Sequence, residues 1–332
     1  MRWGMPALAW PTRRCRWSCR AAMLSVRPYA PGDAPAWDAL VASSRNGNLL
    51  HRRGYMDYHA ARFVDASLLV ERGGEVVAVF PANLQGDCVS SHAGLTYAGL
   101  LSSMALRAGA TLQVFEQIAT HYRALGVREL VYKPVPHIFH AYPAEEELYA
   151  LHRVGAPLYR RDLSSAIALR GPLAFSAERR RSIARARKAG IQIQRGTQLD
   201  GFHALLTQVL QRHGVAPTHR LDELQLLQGR FAQQIVLHEA RADGQLVAAA
   251  LVFDFGRSVH TQYLAVSEQG RQLDALSLLL ADLITDVYAQ RDYFSFGIST
   301  EQGGQVLNEG LVEQKERFGA RAVVQDFYRW ML

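Results

Sequence analysis

The sequence predicts an α/β chain built as two tandem copies of one unit. Three observations carry this. The chain has 332 residues, long enough for two domains of roughly 100–200 residues each. Its hydrophobic content of 49% and charged content of 20% supply real cores and exclude a disordered tail protein, a collagen or a small disulfide scaffold. The order of periodic segments read from Met23 also returns from Ile191 onward.

In the first copy, alternation over Leu24–Tyr29 predicts a strand, and the spacing of Trp37, Leu40 and Val41 predicts a helix over Asp33–Ser44 with Asp33 as its N-cap. A second short helix is predicted over Tyr55–Phe63. Ser67–Val70 and Val76–Pro81 flank Gly73-Gly74, the signal of a tight hairpin, and Val89–Leu101 supplies a third strand. A long helix over Ala110–Leu125 closes at Gly126. A strand at Glu129–Lys133, a helix at Ala144–Arg153 closed by Gly155, and a strand at Leu158–Ile167 complete the unit.

The second copy runs in the same order. A strand at Ile191–Gln194 precedes helices at Leu199–Arg212 and Asp222–Phe231, and Ile235–Ala240 and Leu246–Asp254 flank the hairpin signal Asp243-Gly244. His260–Ser267 is its third strand and Leu273–Gln290 its long helix. A strand at Tyr293–Ile298, a helix at Gln305–Phe318 closed by Gly319 and a strand at Ala322–Trp330 complete it. Residue identity agrees: Arg153, Gly155, Ala156 and Asp162 recur as Arg317, Gly319, Ala320 and Asp326 at a constant offset of 164. The division expected is 1–22, an unstructured extension; 23–168, the first domain; and 169–332, the second, joined near Ser164–Ser176.

The net charge is +7, and its location matters more than its size. Residues 1–22 carry five arginines and no acid, and Glu178–Lys188 carries six bases against one acid, so the remainder is slightly negative. A nucleic-acid protein spreads its bases over a face of the fold. Here they occupy a tail and one helix, which argues against bulk nucleic-acid binding. The tail's apolar stretch, Gly4–Trp10, holds Pro6 and runs into more arginine where a secretory signal has its cleavage site. The richest apolar run, Leu273–Ile284, contains Asp274 and Asp282 and falls short of the roughly 18 uncharged residues of a membrane span. Cys15 and Cys19 lie in the tail and Cys88 stands alone in the body. No disulfide framework or zinc site is expected, and reducing cytoplasm is the expected compartment. His137-x-x-His140 near Glu145 is bracketed by Pro136 and Pro143 and lacks helical metal spacing. No Walker loop, dinucleotide fingerprint or nucleophile elbow appears.

Several local runs carry a family resemblance: Ser91-His92-Ala93-Gly94-Leu95-Thr96-Tyr97, Lys133-Pro134-Val135-Pro136-His137, and Leu307-Asn308-Glu309-Gly310-Leu311 followed by Gln314-Lys315 and Phe318-Gly319. Together with the element order, these resemble the FemAB-like tandem branch of the GNAT acyltransferase superfamily from Met23 to Trp330. The basic helix Arg179–Gly190 resembles the interdomain segment of that branch. The resemblance implies two GNAT-like domains, each with a mixed, mostly antiparallel sheet flanked by helices. It places acyl-CoA in a wedge between the third hairpin strand and the strand after the long helix. Pyrophosphate would be held by N–H groups at that helix's N-terminus, where the dipole favours anions.

In the second copy this entrance is Ser267-Glu268-Gln269-Gly270-Arg271-Gln272, a degenerate form of the family loop with one glycine where better matches have two. Val266, Ser267, Gln269, Gly270, Arg271 and Asn308 are thus the expected cofactor contacts. In the first copy the glycine, Gly109, comes late, so the first domain is expected to supply the acceptor surface and the second to hold acyl-CoA, with no metal.

Acyl transfer needs a polarised carbonyl, a neutral amine and relief of charge on the leaving group. A backbone N–H of the Thr261–Val266 strand answers the first need. Glu309 and Glu301 are the acidic candidates, although helix-start carboxylates are ordinary solvated groups. His92 is the imidazole candidate from the facing domain, and Tyr263 or Ser267 the candidate proton donor. Of 37 basic residues only Lys133, Lys188 and Lys315 are lysine. Lys315 matches the family lysine associated with charge at the acyl centre. Catalysis is therefore assigned to His92, Glu309, Lys315 and Tyr263. The acceptor is assigned to His51, Tyr97, Lys133, His137 and Arg180, with Arg181 and Lys188 near its diphosphate.

The leading expectation is an acyl-CoA-dependent N-acyltransferase acting on a nucleotide-linked amino sugar for bacterial surface polysaccharide. A small-molecule nucleotide sugar would be its partner, without nucleic acid or membrane, and a homodimer is left open. The first alternative is a FemAB-type transferase using aminoacyl-tRNA on a peptidoglycan precursor, disfavoured by the short His213–Arg220 connection where many such enzymes carry a helical arm. The second is a non-catalytic GNAT-like binding protein.

Overall fold

The structure is a computed structural model and describes residues 23–212 and 214–332; the expected extension over 1–22 lies outside the described residues. Two sheets carry the fold. In the first unit, Leu24–Pro28, Leu68–Arg72, Glu75–Phe80 and Leu101–Ser102 pair antiparallel in that order. An eleven-stranded sheet runs through both units. It begins with Gln192–Gly196, Ile235–Ala242, Gln245–Asp254, Ser258–Val266 and Tyr293–Ile298, continues with Leu158–Ala168 and Arg321–Met331, and ends with Glu129–Tyr132, Cys88–Ser90, Asn83–Gln85 and Val64–Asp65.

Its centre is an exchange of final strands. Leu158–Ala168, which ends the first unit, pairs with Tyr293–Ile298 of the second. Arg321–Met331, which ends the second, pairs with Glu129–Tyr132 of the first. The two exchanged strands also pair with each other, Arg161 opposite Asp326 and Asp162 opposite Gln325. Adding the repeat offset of 164 to one member of each pair gives a member of the other, so a pseudo-twofold axis passes between them. Arg161 bonds Asp326 bidentately, at 2.6 and 2.8 Å.

Packing follows the sequence periods. The helix Ala108–Ala124 buries Thr111, Val114, Phe115, Ile118, Ala119 and Tyr122, an i, i+3, i+4, i+7 stripe. This stripe meets Leu24, Val70, Phe80, Leu130 and the exchanged Trp330 in one core. In the second unit Ala275, Leu278, Leu279 and Ile284 pack on Ile167, Ala248, Ala250 and Val252. A third core joins the units: Trp37, Leu40, Tyr55, Leu69 and Val79 pack with Phe202, Leu205, Leu224, Leu251 and Phe253. The units therefore share one apolar interior.

Four expected elements differ. The strand Val89–Leu101 is broken: Cys88–Ser90 joins the large sheet, Leu101–Ser102 the small one, and Ser91–Leu100 forms a loop with His92 at φ 53° and Gly99 at φ 72°. The second long helix is split into Glu268–Gln272, Ala275–Asp282 and a π-helical turn at Leu283–Val287. Asp274 sits left-handed at the first break, φ 55°, with its carboxylate held by Arg185 at 2.7 Å. The last helix starts at Glu309 rather than Gln305, because Asn308 caps it and Val306–Leu307 pairs with Thr300–Glu301. The Tyr55–Phe63 segment is a short helix over Arg53–Met56 that tightens into a 3-10 stretch over Asp57–Arg62.

Candidate active site

The second unit contains a wedge between two strands. Ser258–Val266 lies parallel to Tyr293–Ile298 only through Ser258/Tyr293, Val259/Phe294 and His260/Ser295. Beyond that point the strands part. On one side the register slips at Gln262, between Val252/Thr261 and Leu251/Tyr263, a bulge that re-aims the local backbone. On the other side it slips between Ser295 and Gly297, with Gly297 at φ 78°. A Cβ on Gly297 would lie 3.3 Å from His260 Cε1, so the small residue keeps the junction open. His260 is hydrogen-bonded through Nδ1 to Ser295 Oγ at 3.1 Å, and burial pushes its imidazole down to about 4.

Lys315 closes the far side. Its helix, Glu309–Glu316, is capped by Asn308, whose Oδ1 accepts the Leu311 N–H at 3.0 Å and whose Nδ2 donates to Glu301 at 2.7 Å. This sets the helix so that Lys315 Nζ donates to Gly297 O at 2.9 Å, Ile298 O at 2.8 Å and Ser299 Oγ at 2.7 Å. All three ammonium hydrogens are engaged, and burial lowers the amine to about 8. Lys315 therefore fixes the end of the splayed strand. Glu309 and Glu301 are exposed.

The opposite wall carries a pair with no signature in the sequence. Tyr263 OH lies 2.7 Å from His219 Nδ1 and also accepts the His219 backbone N–H at 3.3 Å. With the phenol donating to Nδ1, the imidazole proton falls on Nε2, which is buried without a partner among the described residues. Burial holds His219 neutral, lowering it to about 4. Its ring stacks on Tyr58, centroids 5.5 Å apart; Tyr58 meets His59 at 4.2 Å, and His59 meets His92 at 5.3 Å. An aromatic row thus runs from the wedge strand of the second unit into the first. Arg62 and Glu223 form an ion pair across the same junction.

At the helix entrance, Ser267 Oγ accepts the Gly270 N–H at 3.0 Å. Gly270 is buried so tightly that a Cβ would fall 2.1 Å from Val247 O. Val266 ends the wedge strand, Gln269 is exposed, and Arg271 turns to Glu268 at 3.1 Å. The entrance is thus partly self-capped and carries a carboxylate in its first turn.

In the first unit the expected acceptor residues separate. His51 is fully buried, its Nδ1 accepting the Asn48 N–H at 3.0 Å and its Nε2 facing Tyr97 O at 3.3 Å. Tyr97 is buried with its hydroxyl taken by Asn48 Nδ2. Both belong to the core rather than to an acceptor surface. Lys133 is likewise buried, donating to His92 O at 2.8 Å and Leu95 O at 2.5 Å. His92 is 5% exposed, and burial pushes it down to about 3. His137 is exposed and lines a cavity of about 240 Å³ with Tyr293, Gly319 and Arg321. Arg180 is exposed beside a separate apolar cavity, as are Arg181 and Lys188 on the same helix.

The structure thus gathers Tyr263, Ser267, Gly270, Lys315 and Asn308 around one wedge and leaves the first-unit candidates elsewhere. Sequence reasoning misses His219, His59, His260 and Ser295 because each acquires its partner only through the fold. Among the described residues no group of three or more His, Cys, Asp or Glu is arranged to hold a metal ion.

Residues 175–302 match the model of an acetyltransferase (GNAT) domain. The whole chain is similar in fold to FemX, with a TM-score of 0.68 and 13% identity over 93% of this chain and 97% of that one. It is also similar to the C-terminal domain of a putative lysylphosphatidylglycerol synthetase from Agrobacterium fabrum, TM-score 0.61 at 12% identity, covering 90% and 92%. A tandem GNAT protein from the clavulanic acid biosynthesis pathway gives a TM-score of 0.51 at 14% identity, covering 92% and 98%. No curated protein matches the sequence significantly.

Proposed function

We propose that this chain, whose residues 175–302 match a GNAT acetyltransferase domain and whose fold is shared with FemX and with a tandem GNAT protein, is an acyltransferase of the FemAB-like tandem GNAT type that transfers an aminoacyl group from aminoacyl-tRNA to an amine of a cell-envelope precursor. The observation that carries the choice of donor is the helix entrance. Ser267 already occupies the Gly270 N–H, and Glu268 stands in the first turn. A pyrophosphate there competes with a hydroxyl and meets a carboxylate. An aminoacyl ester needs the wedge but no pyrophosphate cradle. The fold shared with FemX and with the lysylphosphatidylglycerol synthetase domain over nearly the whole chain supports the same reading.

In this mechanism the acceptor nitrogen attacks the ester carbonyl, a C–N bond forms, the C–O bond breaks, and the ribose hydroxyl leaves with a proton. Past His260 the wedge strand has left its parallel partner, and a backbone N–H on that edge faces the developing oxyanion. Tyr263, hydrogen-bonded to neutral His219, accepts or returns the proton, since the pair has an acceptor on each side of one hydrogen. Lys315 is a positioning residue that holds Gly297–Ser299 open.

Acyl-CoA-dependent acylation of a nucleotide-linked amino sugar is the second reading, favoured by Gly270 and its close packing on Val247 at the helix entrance. One pair of measurements separates the two. A thermal-shift panel with CoA, acetyl-CoA, a longer acyl-CoA, UDP and dTDP should leave the melting temperature unchanged. Labelled amino acid should pass from charged tRNA to an amine-bearing envelope precursor. A ligand at about 100 times its Kd adds roughly 2.7 kcal/mol, so a rise of several degrees with any CoA species, and no transfer from tRNA, replaces the proposal with the sugar reading.

A further inference from the structure

At the paired end of the wedge strands, away from its mouth, the linker between the units and the end of the second-unit helix enclose an apolar cavity of about 380 Å³. Leu169, Pro172, Phe175, Ile284 and Ala289 line it, and Leu173 stands at its rim 48% exposed. The polar groups at its edge are already engaged: Arg180 donates to Phe175 O and Thr285 to Ala281 O. A large aliphatic side chain left half in water over an apolar-lined cavity marks a place for an apolar ligand.

The helix Ala177–Lys188 starts at this rim. It buries Ser182, Ile183 and Ala186 and turns Arg180, Arg181, Arg187 and Lys188 outward. Among the described residues none of these four is in an ion pair, whereas Arg185 is spent on Asp274. The nearby acids are largely spent too: Glu178 pairs with Arg317, and Asp292 with Arg170 and Arg257. Asp282 and Asp286 are the exceptions: Asp282 lies near Arg187 without an ion pair among the described residues, and the Asp286 carboxylate accepts from Thr285.

We propose that this face docks on an anionic bilayer, with the helix's outward cations at the headgroups and a lipid acyl chain entering the cavity beside Leu173. The unpaired cations set the sign of the partner, and the apolar lining sets its class. An RNA backbone satisfies the cations but brings no aliphatic chain to the cavity. The sequence argues against a membrane because no apolar run spans one, yet surface docking needs only an apolar foothold beside several bases.

Flotation of the full chain with phosphatidylcholine vesicles, with and without about one third phosphatidylglycerol, tests this. The protein should float with the anionic vesicles alone. Leu173→Asp, and separately the pair Arg181→Glu with Arg187→Glu, should each lower the bound fraction about tenfold with unchanged melting temperature. The arginine-rich first 22 residues are present in every variant, so binding that all variants share belongs to the tail and overturns the proposal. Release of the protein from vesicles by millimolar inorganic phosphate assigns the bases to a free phosphate and also overturns it. Displacement of vesicles by uncharged tRNA, with Leu173→Asp neutral, overturns it in favour of RNA.

Discussion

In both units a strand lies parallel to its neighbour for three residues and then parts from it: Cys88–Ser90 beside Glu129–Val131, and Ser258–His260 beside Tyr293–Ser295. Past the parting point the two units diverge. In the first, Ser91–Leu100 folds into the gap. Ala98 bridges Pro134, Lys133 ties down the His92 and Leu95 carbonyls, and the Leu100 N–H is held by Tyr132 OH at 2.7 Å and Glu147 at 3.0 Å. In the second unit the strand passes from Val266 straight into the Ser267-capped helix, and a lysine holds the strand end from the outside. One loop turns the gap between two strands into core, and the same residue type, buried lysine, seals one gap and props the other.

Acid should separate the regions most strongly. His59, His92 and His219 lie in the row between the filled wedge and the open one, and burial lowers them to about 4, 3 and 4 from an ordinary 6.5. Below pH 6.5 the unfolded chain binds these protons and the folded chain does not, so the stability they contribute is present above pH 6.5 and falls progressively toward pH 4. At 1.36 kcal/mol per pH unit this is on the order of 3 kcal/mol for each. Glu147 has the opposite sign. Burial raises its carboxyl to about 8 although Tyr132 and Leu100 both donate to it, so its contribution is lost as pH rises from the ordinary carboxylate range to 8. Chemical denaturation across pH 4–9 should show a steep acid limb. Replacing His59 and His92 with Phe should flatten that limb, and an unchanged limb would place the row in water.

The two lysines give the next largest effect and the sharpest contrast. Lys133→Met strips donors from two buried carbonyls, at about 1–3 kcal/mol each. Unfolding free energy should fall by about 3 kcal/mol, with transfer activity at low temperature nearly intact. Lys315→Met also removes donors, but it releases Gly297–Ser299 and should lower kcat about 100-fold, or about 2.7 kcal/mol in barrier. Equal activity losses in both variants would mean that the first gap, too, belongs to the site.

The range of each interaction decides whether the sequence discloses it. Element order is legible, because the stripe Thr111–Phe115–Ile118–Tyr122 and the alternation along Ile235–Ala242 are local signals. The wedge and Lys315 are legible through family-like runs. The strand exchange is not: Leu158–Ala168 and Arg321–Met331 have similar burial patterns, so either fits beside either unit. Nor is the filling of the first gap, since Lys133 reaches carbonyls about 40 residues away, or the His219–Tyr263 pair, separated by 44. Asp274 reads in sequence as one more position in a long helix, whereas its left-handed backbone ends one turn and starts another.

Glycines give a smaller, steric version of the comparison. In Gly94→Ala the new methyl lies 2.1 Å from His59 Nε2, a side-chain atom, and in Gly270→Ala it lies 2.1 Å from Val247 O, which is backbone. A side chain can move and a sheet carbonyl cannot move cheaply. Gly270→Ala should therefore cost about 2–3 kcal/mol, while Gly94→Ala should cost about 1 kcal/mol and shift His59, visible in its imidazole NMR signals. The reverse order would mean that the filled wedge is the more rigid of the two.

The smallest effects belong to the two caps that frame the open wedge. Ser267 and Asn308 each accept one N–H three residues on, at 3.0 Å, and replacing either with Ala should cost about 1 kcal/mol of stability. Their effects on the reaction should differ. Asn308→Ala loosens the helix that carries Lys315 and should lower kcat several-fold. Ser267→Ala frees the Gly270 N–H, and on the aminoacyl-ester reading it leaves kcat unchanged because no phosphate sits there. Measuring CoA affinity for Ser267→Ala by calorimetry closes the question: appearance of tight CoA binding in the variant would show that the serine cap is what excludes a pyrophosphate from this entrance, and tight binding already in the wild type would return the site to acyl-CoA.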